Sequence, residues 1–379
     1  MDVIEKVKRS KVLYSAYKLF FSFGINLLKL FVKPDSQLIL FVSYGGRYYN
    51  DSPKCIYEEM IRDSRFSSYK LVWAFRHPED KVPNRKIKID TLKYYVTALK
   101  ARSWVTNVMI ERGLNFTGKN TYYFHTTHGT LPKLSGNDVI NKDVFGSSFC
   151  YKFDCSCAQS EEEKRLQLSM FGLKPEQVLV CGYPKNDRLA MASLSMQCEI
   201  KKKLGIEINK KVVLYAPTYR EITEKNAVLE IDFGKWQRKL GGEYVIMFRA
   251  HPVVAQKYNL PSNAGIIDVS SYPDNMDLLI AADFLISDYS GVFFEYAILD
   301  RPMFCYAYDY DEYSMIRGLY MDLRKELPSG NQDEILEMIK HGDRCAIMEK
   351  VKKFKDKYVE EYGHATEIAV ENIFNHIRG

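Results

Sequence analysis

Beyond Pro34 the chain alternates short apolar runs with stretches of helical periodicity, and no other feature constrains the fold as much. The runs fall at 37–43, 69–75, 86–89, 103–106, 121–124, 154–158 and 177–181, and a second series follows at 211–216, 244–249, 265–269, 283–287 and 302–306. Several are too continuously apolar for a sheet with one wet face. Strands buried on both faces and separated by helices imply an α/β fold, a mostly parallel sheet with helices on each side. With 379 residues, 46% of them hydrophobic, the chain has enough apolar mass for two such units. The polar stretch from Lys201 to Asn209 separates the two series, so domains are expected at 34–205 and 206–379. Helical stretches at 332–340 and 347–377 close the chain, the last a candidate to pack back on the first domain.

The first 33 residues differ from the rest. They carry Lys6, Lys8, Arg9, Lys11, Lys18, Lys29 and Lys33 against Asp2 and Glu5, a local balance of +5 within a net charge of +6. Nearly all the positive excess therefore sits at one end, which argues against a nucleic-acid surface spread over the body. Lys8, Lys11, Ser15, Lys18, Ser22, Asn26, Lys29 and Lys33 recur at steps of three and four and form one stripe of a helix. Leu13, Tyr17, Phe20, Phe21, Leu27, Leu28, Leu30 and Phe31 occupy its other faces. That pattern predicts an amphipathic helix over 1–33 lying on an anionic membrane surface; packing on the body and a spanning helix are the competing expectations. The eight cysteines include one close pair, Cys155 and Cys157, and lack metal-ligand spacing, so reduced thiols are expected.

Two loops look chemical. The run 121–124 breaks into a segment holding His125, His128, Gly129 and Thr130, beyond the carboxyl end of a strand, where open α/β sheets place their sites. Gly129 lets another molecule approach the backbone, and Asp138 offers a carboxylate that could orient an imidazole. Gly45 and Gly46 close the first strand in a turn, and residues 48–53 read as a polar loop at the same end. In the second series, Ser287-Asp-Tyr-Ser-Gly291 follows a strand and opens a helix, a setting that favours phosphate at Ser290 and Gly291. Arg249, Ala250 and His251 end another strand, as does Tyr215-Ala-Pro-Thr-Tyr-Arg220; Arg249 and His251 would neutralise a pyrophosphate, and Glu295 could take a ribose hydroxyl. Asp309 and Asp311 invite a Mg²⁺ reading, but acids in a loop after a strand are commonly solvated, so no metal site is assigned.

Taken together, Ser43-Tyr-Gly-Gly46 with Ser52-Pro-Lys54, His128-Gly-Thr130 with Asp138, Gly182-Tyr-Pro-Lys-Asn-Asp187, Ala216-Pro-Thr218, Arg249-Ala-His-Pro252, Ser287-Asp-Tyr-Ser290, and Arg301-Pro302 with Arg317-Gly318 resemble the CDP-glycerol glycerophosphotransferase family of wall teichoic acid synthesis. The resemblance runs from about Leu38 to the C-terminal helices and lies in the order and spacing of the motifs. It implies the GT-B fold, two Rossmann-like domains with an interdomain cleft, the first for the acceptor and the second for the CDP-linked donor. It also implies peripheral attachment to the cytoplasmic face of the bacterial membrane and transfer from CDP-glycerol or CDP-ribitol to a lipid-linked saccharide or polymer, without a cofactor.

Carried onto this chain, the resemblance makes His128 the general base, with Asp138 and His251 as further catalytic residues. It makes Gly129, Thr130, Leu131, Pro132, Lys185, Pro217, Thr218, Arg249, Ala250, His251, Ser290, Gly291 and Glu295 the substrate contacts. Thr127 stands where the family usually has Trp, Lys185 where Arg is common, Gly291 where a second Ser is common, and Glu295 where Asp is common. The alditol carried, glycerol or ribitol, stays open, as does primase against polymerase. A nucleotide-sugar glycosyltransferase and a catalytically idle membrane scaffold are the other functions compatible with this fold.

Overall fold

The computed structural model of the protein describes residues 11–80, 83, 85–142, 151–220, 230–250 and 265–378. Its first sheet holds β1 (Asp35–Val42), β2 (Lys70–Phe75), β3 (Lys86–Lys88), β4 (Ala101–Thr106), β5 (Tyr122–His125), β6 (Cys155–Ala158) and β7 (Val178–Val180). They lie side by side in the order β3-β2-β1-β4-β5-β6-β7, all pairs parallel. The second sheet holds β8 (Lys211–Tyr215), β9 (Tyr244–Phe248), β10 (Ile266–Asp268), β11 (Phe284–Ser287) and β12 (Met303–Cys305), in the parallel order β10-β9-β8-β11-β12. Each sheet reverses its strand order once, beside β1 in the first and beside β8 in the second. A crevice opens at such a switch point, beyond the carboxyl ends of the strands.

The burial of β1 explains why its sequence is so apolar. Ile39, Leu40, Phe41 and Val42 are all fully buried, and successive side chains go to opposite faces. Leu40 and Val42 pack with Tyr94 and Trp104. Ile39 and Phe41 pack with Tyr57, Trp73 and Ile373. Each such side chain contributes about 1.5–3 kcal/mol of burial, which a sheet with one wet face would forfeit on alternate residues. β8 repeats the arrangement, Val212 and Leu214 on one face and Val213 and Tyr215 on the other.

The expected single helix over 347–377 is two, Arg344–Tyr358 and Ala365–Ile377. Between them Gly363 takes φ +92, and the N–H groups of Glu360 and Glu361 both donate to the carbonyl of Gln159. The chain thus crosses back to the first lobe. Asp187 then caps the final helix, its carboxylate accepting from Ala365 N at 3.0 Å and Thr366 N at 2.8 Å. Ala369, Val370, Ile373 and Ile377 join the core of the first sheet. The segment expected as a polar loop over 48–53 instead starts a helix at Asp51 (Asp51–Arg62).

The N-terminal helix (Lys11–Phe31) is docked on the first lobe through Ser22, Asn26 and Lys29 of its polar stripe. Ser22 Oγ accepts from Asn115 N at 2.8 Å, Asn26 Nδ2 donates to Asn115 O at 2.8 Å, and Lys29 Nζ donates to Thr117 Oγ1 at 2.9 Å. Ile25 is buried among first-lobe residues. Leu19, Phe20, Phe23, Leu30 and Phe31 face outward, Leu19 76% and Phe31 78% exposed. Among the described residues no helix is long and apolar enough to cross a membrane.

Candidate active site

The two histidines that end β5 have different surroundings. His125 is buried and stacked on Phe153, ring centroids 3.9 Å apart and the ring planes nearly parallel, and burial pushes its pKa down to about 3. It is a neutral packing residue. Three residues on, Thr127 at φ +49 and Gly129 at φ +127 turn the chain and present His128 to the cleft, with Tyr44 6.2 Å away centroid to centroid. Thr130 anchors the far side of the turn, its Oγ1 accepting from Gln159 Nε2 at 2.5 Å.

Lys185 ties this turn to both lobes. Its buried Nζ donates to the His128 carbonyl at 2.7 Å, pairs with Glu295 of the second lobe at 2.8 Å, and lies 3.4 Å from Asp51. Burial alone would lower the ammonium pKa, but Asp51 and Glu295 carry it above the ordinary lysine range. Asp51 in turn accepts from Tyr44 OH at 3.0 Å and Ser52 N at 2.8 Å. Burial would raise its pKa, but Lys185 and these donors hold it below the usual carboxylate range. Glu295 also accepts from Asn275 Nδ2 at 3.2 Å. Gly129 lies over the pair, and a Cβ there would meet Glu295 Oε1 at 3.3 Å.

His128 is open to cleft solvent while protein surrounds it closely. Its imidazole pKa falls below the ordinary range through burial first and the Lys185 ammonium second; Asp51 and a hydrogen bond at the Asn107 backbone act the other way. Since water reaches the ring, desolvation is partial and the lysine charge is the firmer cause. The outcome is a neutral imidazole near pH 7, able to accept a proton.

Across the cleft, β11 runs into Ser287-Asp-Tyr-Ser-Gly291. The helix that follows, Val292–Tyr296, is only five residues long before it tightens into a 3₁₀ turn. Its contribution to binding an anion is therefore local N–H groups more than a long helix dipole. Ser290 Oγ accepts from Val292 N at 3.3 Å. A Cβ on Gly291 would lie 2.4 Å from the Thr130 carbonyl, so in this arrangement only glycine lets the two lobes touch there. The Arg249 guanidinium is held by the carbonyls of Val269 (3.1 Å) and Tyr272 (3.0 Å), and burial pushes its pKa down while Glu295 acts against this. Ala250 is buried, its N–H on Ser270 Oγ. Thr218 N donates to Asp288 Oδ1 at 2.9 Å, and Pro217 beside it is half-buried. His251 lies outside the described residues.

Arg220 serves as a strut. It is buried, reaches Asp288 at 2.8 Å and grips Asp309 through Nε (2.7 Å) and Nη2 (2.9 Å), which fixes the Thr218 loop against the Ser287 loop. Asp309, half of the acidic pair weighed as a Mg²⁺ ligand, is engaged by that fork. Among the described residues no group of three or more His, Cys, Asp or Glu side chains could hold a metal ion. On the first lobe, Leu131 is half-buried and the Pro132 carbonyl accepts from Tyr320 N at 2.8 Å, a second point where the lobes join.

One sequence expectation is corrected. Asp138 does not reach His128; its carboxylate accepts from Ser169 Oγ and, at 2.6 Å, from Tyr320 OH. It ties the loop after Pro132 to the second lobe. The carboxylate acting on His128 is Asp51, which sequence reasoning passed over. Its signal was available in Asn50-Asp-Ser-Pro53 just after the Gly45-Gly46 turn, since Asp51 sits at φ +63, where Asn and Asp are the tolerated non-glycine residues.

The family profile described as CDP-glycerol:poly(glycerophosphate) glycerophosphotransferase matches residues 25–375. A teichoic acid poly(glycerol phosphate) polymerase of Staphylococcus epidermidis is 33% identical over 354 residues, 86% of this chain and 48% of that one, so the chain spans about half of that relative's length. A teichoic acid glycerol-phosphate transferase of Staphylococcus aureus is 29% identical over 369 residues, 90% of this chain and 94% of that one. Among solved structures, the wall teichoic acid polymerase TagF soaked with CDPG superposes with a TM-score of 0.82 at 29% identity, covering 94% of this chain and 93% of that chain.

Proposed function

The chain belongs to the CDP-glycerol:poly(glycerophosphate) glycerophosphotransferase family, and from that premise we propose that it moves glycerol phosphate, or a related alditol phosphate, from a CDP-activated donor to a lipid-linked glycan or growing teichoic acid polymer. An acceptor hydroxyl oxygen attacks the β-phosphorus of CDP-glycerol. The new P–O bond forms as the bond to CMP breaks, His128 takes the hydroxyl proton, and CMP leaves with the bridging oxygen. One observation carries this reading: Lys185 joins the His128 carbonyl of the first lobe to Glu295 of the second, next to the close approach of Gly291 to Thr130, which supports a base on one lobe working against a donor cradle at Arg249, Ser290 and Gly291 on the other. Such transfer depends mainly on positioning and charge neutralisation.

The expected boundary at 205/206 shifts: residues 34–187 with the final helix act as the acceptor domain, and the body from Arg188 to Tyr358, whose Leu189, Ile200 and Ile206 pack in the second core, acts as the CDP-donor domain. Lys185 and Thr130 to Pro132 shape the base-bearing loop, Pro217, Thr218, Ala250 and Glu295 line the donor side, and the resemblance adds His251, outside the described residues, as a donor contact. The outward apolar face of the N-terminal helix, Leu19, Phe20, Phe23, Leu30 and Phe31, supports peripheral binding to the cytoplasmic face of the membrane. The test is to incubate the purified protein with CDP-glycerol or CDP-ribitol and a lipid-linked disaccharide, measuring CMP and product mass. CMP with an acceptor heavier by whole alditol phosphates is expected, and no CMP from either donor overturns the reading.

A further inference from the structure

A second constellation lies on the first lobe, between His128 and the N-terminal helix, and the transfer step leaves it unused. Three arginines meet at the Gly45-Gly46 turn that closes β1. Arg76, the residue after β2, donates Nε to the Gly45 carbonyl at 3.2 Å and its backbone N–H to the Gly46 carbonyl at 2.7 Å. Arg112, from the segment after β4, presses on the same turn so closely that a Cβ at Gly45 would meet its Nη1 at 2.7 Å. Arg47 follows the turn directly and is exposed. Asp90 answers them with one carboxylate, bound to Arg112 through Nε at 3.0 Å and Nη2 at 2.8 Å. Among the described residues the three guanidinium groups thus have one close counter-charge, Asp90. Burial, then Arg47 and Arg112, push the Arg76 pKa down, the mark of like charges held together.

Position gives the cluster its meaning. Towards the catalytic loop, Tyr44 adjoins Gly45 and its ring lies beside His128, with the Tyr48 ring 6.0 Å from it. Towards the helix, Tyr14 OH lies 3.4 Å from where a Cβ at Gly113 would be, and Tyr17 feels the charge of Asp90. The arginines therefore stand between the outward apolar helix and the base. The diphosphate of the donor is served by the second lobe, so this charge on the first lobe has no partner in the donor. Guanidinium forks suit phosphodiesters, and the acceptor carries them.

We propose that Arg47, Arg76 and Arg112 form a subsite for phosphate groups of the acceptor, steadying its chain between the membrane face and His128. The inference rests on the transfer reading above.

The test uses the full-length protein in detergent, CDP-glycerol, and a lipid-linked disaccharide diphosphate bearing one glycerol phosphate. Arg47→Gln and Arg76→Gln are each expected to raise KM for that acceptor about ten-fold, about 1.4 kcal/mol, while KM for CDP-glycerol holds within about two-fold. Arg47→Lys, which keeps the charge, recovers most of the loss. Arg76 also braces the turn, so Arg47, whose side chain makes no hydrogen bond among the described residues, gives the variant that leaves the fold alone. Direct binding of free tri(glycerol phosphate) should weaken in parallel, and more steeply with salt in the unaltered protein. An unchanged acceptor KM in Arg47→Gln overturns the proposal. So does loss of binding to phosphatidylglycerol vesicles by that variant with acceptor KM in detergent unchanged, which assigns the cluster to membrane lipid. If the unaltered protein releases no CMP, the transfer reading fails, whereas tri(glycerol phosphate) binding still tests the subsite.

Discussion

Replacing Lys185 with methionine removes the ammonium that joins Asp51, Glu295 and the His128 carbonyl. With contacts of 3.4 and 2.8 Å to the lost ammonium, the two carboxylates are no more than about 6 Å apart, a repulsion of roughly 3 kcal/mol at an effective dielectric near 20. Breaking a buried pair by removing one partner costs about 3–5 kcal/mol in general, so Lys185→Met should lose an amount in that range at pH 8, measured by urea unfolding.

The pH dependence identifies the source. In the unaltered protein Asp51, with its pKa lowered, contributes stability above the unfolded value near 3.9 that is lost only as pH falls through the folded value beneath it. Lys185, with its pKa raised, contributes below about 10.4 and loses this only as pH rises through the higher folded value. Between pH 5 and 8 the intact cluster is therefore constant. In the variant Asp51 loses the ammonium that lowers its pKa and keeps the burial that raises it, so its cost is relieved as pH falls, and the gap should narrow by about 1–2 kcal/mol at pH 5. Adding Glu295→Gln should return about 2 kcal/mol at pH 8. A loss below about 1 kcal/mol, or one independent of pH, refutes the reasoning.

Other outcomes follow from the same contacts. His128→Ala should fold normally and lower CMP release by about 10²–10⁴-fold, checked with purified protein and both donors. Because the imidazole pKa is lowered, the acid limb of kcat/KM should lie below the ordinary 6.5, and Lys185→Met, which removes the cation, should move it up. Asp138→Asn should cost about 1 kcal/mol through its bond to Tyr320, with transfer rates within about two-fold; a hundred-fold loss would restore it to the chemistry. Phe20→Ser with Phe23→Ser should weaken binding to phosphatidylglycerol vesicles by about ten-fold or more, read by sedimentation, without lowering the thermal midpoint.

Much of the fold was legible because β1 and its neighbours are buried on both faces. A strand like 38–42 has to be apolar throughout, and the pattern located all twelve strands of the two sheets to within about two residues. Less was legible where a tertiary partner decides. The break at 359–364 depends on Gln159, two hundred residues away, and on Gly363. The polar stripe of the N-terminal helix was readable, but its docking through Asn26 and Lys29 depends on Asn115 and Thr117, which no local pattern links to it. The site divides in the same way. His128, Ser290, Gly291 and Arg249 stand at strand ends, where topology makes them conspicuous. Asp138 looked suitable from nearness in sequence, whereas Asp51 reaches the loop from the other side of the switch point.

The return of the chain at 359–364 has a mechanical consequence. A body joined to another by one tether can swing and also swivel; two tethers confine it to rocking about the line between them. With one passage at Asp187–Arg188, where Asp187 caps the final helix and Arg188 pairs with Asp274 of the second lobe, and a second pinned where Gln159 receives Glu360 and Glu361, this tethering favours rocking over rotation of the base off its opposite cradle. Alignment of His128 with Arg249, Ser290 and Gly291 then becomes a matter of aperture alone.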